Sequence, residues 1–324
     1  MLKLIKPGLS TTVQDLGRPG YYHVGIPQSG ALDQYALRLA NLLVGNDEGA
    51  AALECTLLAP EIEFTADGIV AIAGAETTPK LNDAAVPRDE SFGVRAGDKL
   101  RFDFMRTGAR LYIAIAGGID VPAVLGSRST YGLGAFGGFQ GRKLAAGDLL
   151  PVGSSTPRAR VGRRVAADLA VSCPKVQELR VLPGLYDHRL SAEAVETFYA
   201  DRWSVGAEAD RIGYRFKGGR PLKFLDRTPP FGAGSDPSNI VDAGYPYGSI
   251  QVPAGLEPII LHRDAVSGGG YAMIGTVISA DMDRIAQLQP NHQARFVRTD
   301  MPGALAARAE ARKRLARLRE QLAD

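Results

Sequence analysis

Apolar residues in this 324-residue chain fall mostly in runs of four to eight, set off by glycine, proline and short polar residues. Runs of that length, with turns every ~8–12 residues, predict the strands of a barrel or sandwich. Examples are Glu61-Ile62-Glu63-Phe64 and residues 69–73, 111–116, 178–182 and 258–261. Helical spacing is rarer. Asp33 is placed to cap a helix through Tyr35, Leu37, Leu39, Leu42 and Leu43 that stops at Gly45. Ser191 stands before a second helix over 192–199, with Glu193 and Glu196 near its start, and a third runs over 280–288 towards Pro290. The tail, 304–322, is helical by propensity, and Leu315, Leu318 and Leu322 make a narrow stripe for docking along one edge.

The stretch 151–160 is polar, turn-rich and without apolar rhythm, so it reads as a linker. The expected organisation is an N-terminal β-domain over 1–155, a second β-domain over 165–300 and a C-terminal helix over 303–324. Ala96–Phe102 and Gln289–Phe296 are both turns entering a strand that ends Arg-Phe. Val24-Gly25 leading to Asp33 and Arg38 is echoed loosely by Val205-Gly206 leading to Asp210 and Arg215. Two related domains, or chance recurrence, would each produce such pairs.

Composition agrees with a turn-rich, well-cored protein: 45% hydrophobic, 38 glycines and 20 prolines. The net charge of +3 comes from the tail, where 303–324 holds six basic and three acidic residues, leaving 32 of each elsewhere. A nucleic-acid binder is expected to have a basic body or stripe, so no nucleic-acid partner is expected. Cys55 and Cys173 form no Cys-x-x-Cys pattern, which argues against a disulfide framework and a metal site. The first residues are too few and too charged for a signal peptide, and no apolar run approaches the ~20 residues of a membrane span. The cytoplasm is the expected location.

Candidate chemistry begins at Thr11-Thr12-Val13-Gln14-Asp15-Leu16-Gly17-Arg18-Pro19-Gly20 and Gln28-Ser29-Gly30-Ala31-Leu32-Asp33. Gln14 and Ser29 suit an amide or urea-like group, Arg18 a carboxylate, and Asp15 or Asp33 a donor. Asp15 could equally close an Asx turn and pair with Arg18, and for Asp33 alone the helix cap is the better reading. The run Gly132–Gly138 formally contains G-x-G-x-x-G, but no helix can follow it, so a dinucleotide site is rejected. Two readings stay open there: a long glycine-rich turn, or a flexible loop whose amides, with Arg128, Ser129 and Tyr131, surround an anion. In the second half, Gln251 alternates with apolar neighbours, and Gly268-Gly269-Gly270-Tyr271 offers backbone amides for an oxyanion-type pocket. Walker, G-x-S-x-G and H-E-x-x-H motifs are missing, as is an Ala-Met-Lys-Met biotinylation site. No catalytic residue stands out.

Residues 12–18, Ser29–Asp33, Ala116–Ile119, Gly126–Tyr131 and Ile250–Pro253 together resemble the KipA-like family, which takes in allophanate hydrolase subunit 2 and one of the subunits of 5-oxoprolinase. The likeness runs from about residue 3 to 298. It implies a mainly β chain of two cyclophilin-like open barrels plus the C-terminal helix. It implies a subunit of a heteromeric amide-processing enzyme of the carboxyltransferase type, sharing its active site with a KipI-like partner. A LamB/YcsF-like subunit or a biotin carboxylase would complete the assembly. The reaction would be ATP-dependent 5-oxoproline ring opening or biotin-dependent carboxyl transfer to urea, on a small amide, lactam or urea-like substrate. No cofactor is expected on this chain alone; carboxybiotin or ATP would come from partner subunits. The substrate-binding residues would be Gln14, Asp15, Arg18, Ser29, Asp33, Arg128, Ser129, Tyr131, Gln251, Gly269, Gly270 and Tyr271. The alternative is a non-catalytic regulator that antagonises a KipI-like kinase inhibitor. One departure bears on substrate choice: where many relatives read Gly-Gly-Tyr-Pro-Lys, this chain has Gly269-Gly270-Tyr271-Ala272-Met273, which removes a cation.

Overall fold

A computed structural model describes residues 1–228 and 230–323. The chain divides into two compact units: Met1–Arg18, Ser29–Pro174 and Arg312–Asp324 make the first, Pro19–Gln28 and Lys175–Ala311 the second. The division therefore falls at 174/175, later than the linker expected at 151–160. That stretch is held by the first unit, where Thr156 Oγ1 donates to Gly45 O at 2.7 Å and Ser91 Oγ to Arg160 O at 2.8 Å. Short polar residues look like a linker in sequence because their bonds are to distant backbone, which no local pattern reveals.

The first unit contains two sheets. A six-stranded sheet runs in the order Leu149–Leu150, Leu2–Lys6, Glu61–Phe64, Lys99–Phe102, Pro79–Leu81, Ala84–Ala85. A five-stranded sheet runs Ser10–Gln14, Ala52–Thr56, Thr107–Ile115, Gly68–Glu76, Ser91–Val94. The central strands of the second sheet are apolar on both faces but sort by size. Leu53, Val70, Ile72, Leu111 and Ile113 join Leu4, Ile62 and Leu100 of the other sheet in one core. Ala52, Ala71, Ala73 and Ala114 line the opposite face, where small side chains let helix α1 (Gln34–Leu43) lie close through Leu37, Leu39, Ala40 and Leu43. Apart from Tyr112, which lies on the helix side, period-two alternation is thus present as large against small.

The second unit is built on the barrel that was expected, and its ring of seven strands is closed where an open one was anticipated. Its order is Val176–Pro183, Met273–Val277, Ser249–Gln251, Ile259–Leu261, Gly213–Lys217, Trp203–Val205, Gln293–Arg298. A parallel pairing of 176–181 with 293–298 closes the ring. Phe296 lies at its centre, stacked on Phe198 of α2 (Ala192–Ala200) at 4.5 Å between ring centroids, with Trp203 and Phe216 close by. Beside the barrel, Asn239–Gly244 and Gly268–Tyr271 pair as a two-stranded sheet.

The helices follow their caps. Asp33 accepts from Ala36 N at 2.8 Å, and Ser191 from Ala194 N at 3.1 Å. The third expected helix is shorter, a 3-10 turn at Ser279–Asp281 followed by α3 (Met282–Ala286). The tail is α4 (Met301–Gln321), beginning three residues earlier than expected. Leu318 and Leu322 are buried in the α1-side core of the first unit. Among the described residues no helix is long and apolar enough to cross a membrane.

Candidate functional site

In the first unit, Ser10–Gln14 ends at the turn carrying Asp15 and Arg18, and the loop 127–130 packs against it. The Asp15 carboxylate accepts four hydrogen bonds: Ser129 Oγ at 2.5 Å, Ser127 Oγ and the Arg128 N–H at 2.6 Å, and the Gly17 N–H at 2.8 Å. Its own N–H donates to Ser129 Oγ at 3.0 Å. This carboxylate closes an Asx turn and ties the loop to it; its acceptor capacity is spent on the chain itself.

Gln14 and Ser29 differ from it. Gln14 Nε2 donates to Thr12 Oγ1 at 3.0 Å and to Thr130 O at 3.2 Å, while its buried Oε1 has no hydrogen-bond partner. The Ser29 hydroxyl is likewise buried and unpartnered, on a residue held in the left-handed region at φ 53°. Two buried acceptors without donors are costly, and each invites a donor from outside the chain. The segment after Ser29 is pinned from beneath. Glu54 accepts from Leu32 N at 2.8 Å and from the Tyr112 hydroxyl at 2.7 Å, and Asp33 N donates to that same hydroxyl at 2.9 Å. Burial, reinforced by Glu54, pushes the Tyr112 hydroxyl well above its ordinary pKa.

Arg18 is fully buried, its guanidinium donating to the carbonyls of Ser129 and Val124 and lying 5.0 Å over the Phe136 ring. Arg128 points elsewhere: Nε donates to Val121 O at 2.8 Å and Nη2 lies 3.3 Å from Asp120, in an exposed pair. Its backbone N–H, not its charge, belongs to the cluster. Tyr131 is buried edge-to-face against Phe136 at 5.4 Å. The glycine run closes over these residues. A Cβ on Gly138, at φ 55°, would lie 1.8 Å from Thr130 Oγ1, so this part of the run packs tightly on its own chain.

In the second unit, Gln251 is buried on the strand Ser249–Gln251 beside Tyr245. The Tyr245 hydroxyl accepts from Tyr271 N at 2.9 Å and faces the carbonyls of Gly269 at 2.7 Å and Tyr271 at 2.5 Å. Burial raises its pKa, offset in part by the Tyr271 N–H and by Gln251. A Cβ on Gly269 would come within 2.7 Å of the Tyr245 ring, which explains that glycine by close packing. The triplet is a strand paired with Asn239–Gly244, with Gly269 opposite Ala243, rather than a loop of free amides, and Gly270 and the half-exposed Tyr271 continue it. Met273 is buried, and its sulfur takes the Ser249 hydroxyl at 3.1 Å.

Of the residues singled out from sequence, Gln14, Asp15, Arg18, Ser29, Ser129 and Tyr131 belong to the first unit's cluster. Gln251, Gly269 and Tyr271 belong to the second's. Asp33 is a helix cap. Thr12, Ser127, Thr130 and Glu54 were missed as contributors. The spacing Ser127-x-Ser129-Thr130 carried a signal, since short hydroxyls at alternate positions suit one carboxylate; Glu54 between two apolar residues carried another.

Residues 24–298 match the family model described as carboxyltransferase domain, subdomain A and B. The chain is 38% identical to a subunit of the 5-oxoprolinase of Escherichia coli, over 96% of this chain and 95% of that one. It is 37% identical to the urea amidolyase of Lachancea kluyveri, over 91% of this chain but 17% of the relative. The Kluyveromyces lactis urea carboxylase structure superposes with a TM-score of 0.90 at 34% identity, covering 98% of this chain and 29% of that one. The chain therefore spans nearly the whole of the bacterial relative and under a third of the fungal ones.

Proposed function

This chain belongs to the family of carboxyltransferase domains, and on that footing we propose that it works as one subunit of an amide-processing enzyme, its active site shared with a KipI-like partner. The relatives are parts of 5-oxoprolinase and of urea carboxylases, which supports an enzyme subunit over a free-standing binder. The substrate is a small amide, lactam or urea-like molecule. The observation that carries this reading is the pair of buried, unpartnered oxygens, Gln14 Oε1 and Ser29 Oγ. An amide N–H is a donor that suits either oxygen, and binding it would remove a desolvation cost of about 1–3 kcal/mol per group.

In this assembly the chain binds and orients. Asp15 holds loop 127–129 against Gln14, and Glu54 holds the backbone that follows Ser29, so the two acceptors are preorganised. On this reading ATP comes from a partner subunit, as does carboxybiotin where biotin is used. Either group supplies the activation; this chain's residues hold the amide. Purified with its partner subunits, the wild type should turn over 5-oxoproline or urea. Gln14→Leu should lower turnover roughly tenfold or more while the subunits still co-elute. Unchanged turnover in that variant would remove Gln14 from the site, and a complete assembly inactive on both compounds would remove the reading.

A further inference from the structure

Residues 186–191 and 223–227 of the second unit bring two cations together. Leu225 N donates to Arg189 O at 2.8 Å, Ser191 N to Lys223 O at 2.9 Å, and Leu190 bridges Phe224. Tyr186, whose N–H donates to Met273 O at 3.2 Å, lies beside the start of the strand Met273–Val277. The Arg189 guanidinium lies 4.3 Å from the centroid of the Tyr186 ring. Its Nη1 is buried with no acceptor. Arg227 donates through Nη1 to Asn239 O at 3.1 Å, on the strand that faces Tyr271. Arg227 lies near enough to act on Arg189: burial first, then the Arg227 charge, lowers the Arg189 pKa. Two carboxylates are sequence neighbours, Asp187 and Asp226. No ion pair joins either acid to Arg189 or Arg227 among the described residues.

We infer that Arg189, Arg227 and Tyr186 form a binding site for a small carboxylate beside the end of the barrel. Two like charges held together, one partly desolvated and lacking an acceptor, are unfavourable unless an anion completes them. Planar guanidinium forks match a planar carboxylate, and the Tyr186 ring orients one of them by stacking. The site adjoins Tyr245, whose hydroxyl senses Tyr186. It stands on its own geometry and needs neither a partner subunit nor turnover.

The test uses the full chain alone, titrated by nuclear magnetic resonance and calorimetry with acetate, 5-oxoproline, inorganic phosphate and the uncharged lactam 2-pyrrolidinone. Acetate and 5-oxoproline should shift amide signals of residues 186–190 and 227, with phosphate weaker and 2-pyrrolidinone leaving those signals in place. Arg189→Gln and Arg227→Gln should each weaken carboxylate binding roughly tenfold, with Arg189→Lys between them and the wild type. Arg227 is half-buried on a connecting segment, so its variant carries the test should the Arg189 variants not fold. Carboxylate affinity unchanged in Arg227→Gln, or phosphate binding tighter than either carboxylate, would overturn the assignment. A complete wild-type assembly inactive on 5-oxoproline and urea, with carboxylate binding intact, would count against the proposed function and leave this site standing.

Discussion

The polar cluster of the first unit and the charged cluster of the second solve opposite problems. Around Asp15, one carboxylate is met by four donors of its own chain, and the surplus that remains is two acceptors, Gln14 Oε1 and Ser29 Oγ. Around Arg189, the donors outnumber their partners and the surplus is positive. The first arrangement is rigid and suits neutral N–H groups; the second is electrostatically incomplete and suits an anion. A polar residue in a turn is therefore not one kind of evidence: its meaning depends on which of its atoms the fold has already used.

The contrast breaks most easily at Asp15. Asp15→Ala strips the acceptor from two hydroxyls and two backbone N–H groups, and should destabilise the first unit by about 3 kcal/mol, read by chemical denaturation. Amide exchange at Ser127–Thr130 should accelerate, and the barrel should keep its protection. If loop 127–130 stays protected in that variant, Asp15 is not its anchor and the first cluster is not preorganised.

A smaller effect is expected at Tyr245, whose hydroxyl ties down the strand Gly268–Tyr271 of the second unit. Tyr245→Phe keeps the ring against Gly269 but removes the hydroxyl that engages both Gly269 and Tyr271. The loss should be about 1–1.5 kcal/mol, with faster exchange confined to the paired strands Asn239–Gly244 and Gly268–Tyr271. A change as large as that of Asp15→Ala would show that the second unit holds a network around Tyr245 as interlocked as the one around Asp15, and the contrast between the units would weaken.

Much of this was legible in the sequence. Short apolar runs marked the strands, and Asp33 and Ser191 marked two helix starts, because caps and periodicity act within a few residues. Residue types located the polar turns, and the family resemblance fell on the same stretches. What could not be read was which end of each side chain would be occupied. Arg128 looked like part of an anion-binding loop, yet its guanidinium goes to Asp120 and Val121. The glycine triplet looked like a source of backbone amides for an oxyanion-type pocket, but it pairs as a strand with residues 239–244. Arg189 and Arg227, far apart in the chain with no motif around either, meet only because 187–191 runs beside 223–225. These are long-range choices, and local pattern is silent on them.

The finest discrimination comes at Ser29, because there stability and binding should move in opposite directions. Its φ of 53° places a residue with a Cβ in the left-handed region, where glycine is at ease. Its hydroxyl is buried without a partner, so the free protein carries two penalties at one position. Ser29→Gly removes both and should raise the stability of the first unit, by about 1 kcal/mol once the greater backbone freedom of glycine in the unfolded chain is set against them. In the reconstituted assembly the same variant should lower turnover, since the hydroxyl that is idle in the free chain is the one offered to the amide. A residue kept for packing would show the reverse: lower stability and unaltered turnover. That outcome would leave Gln14 as the cluster's sole outward-directed acceptor and shrink the first site to a single contact.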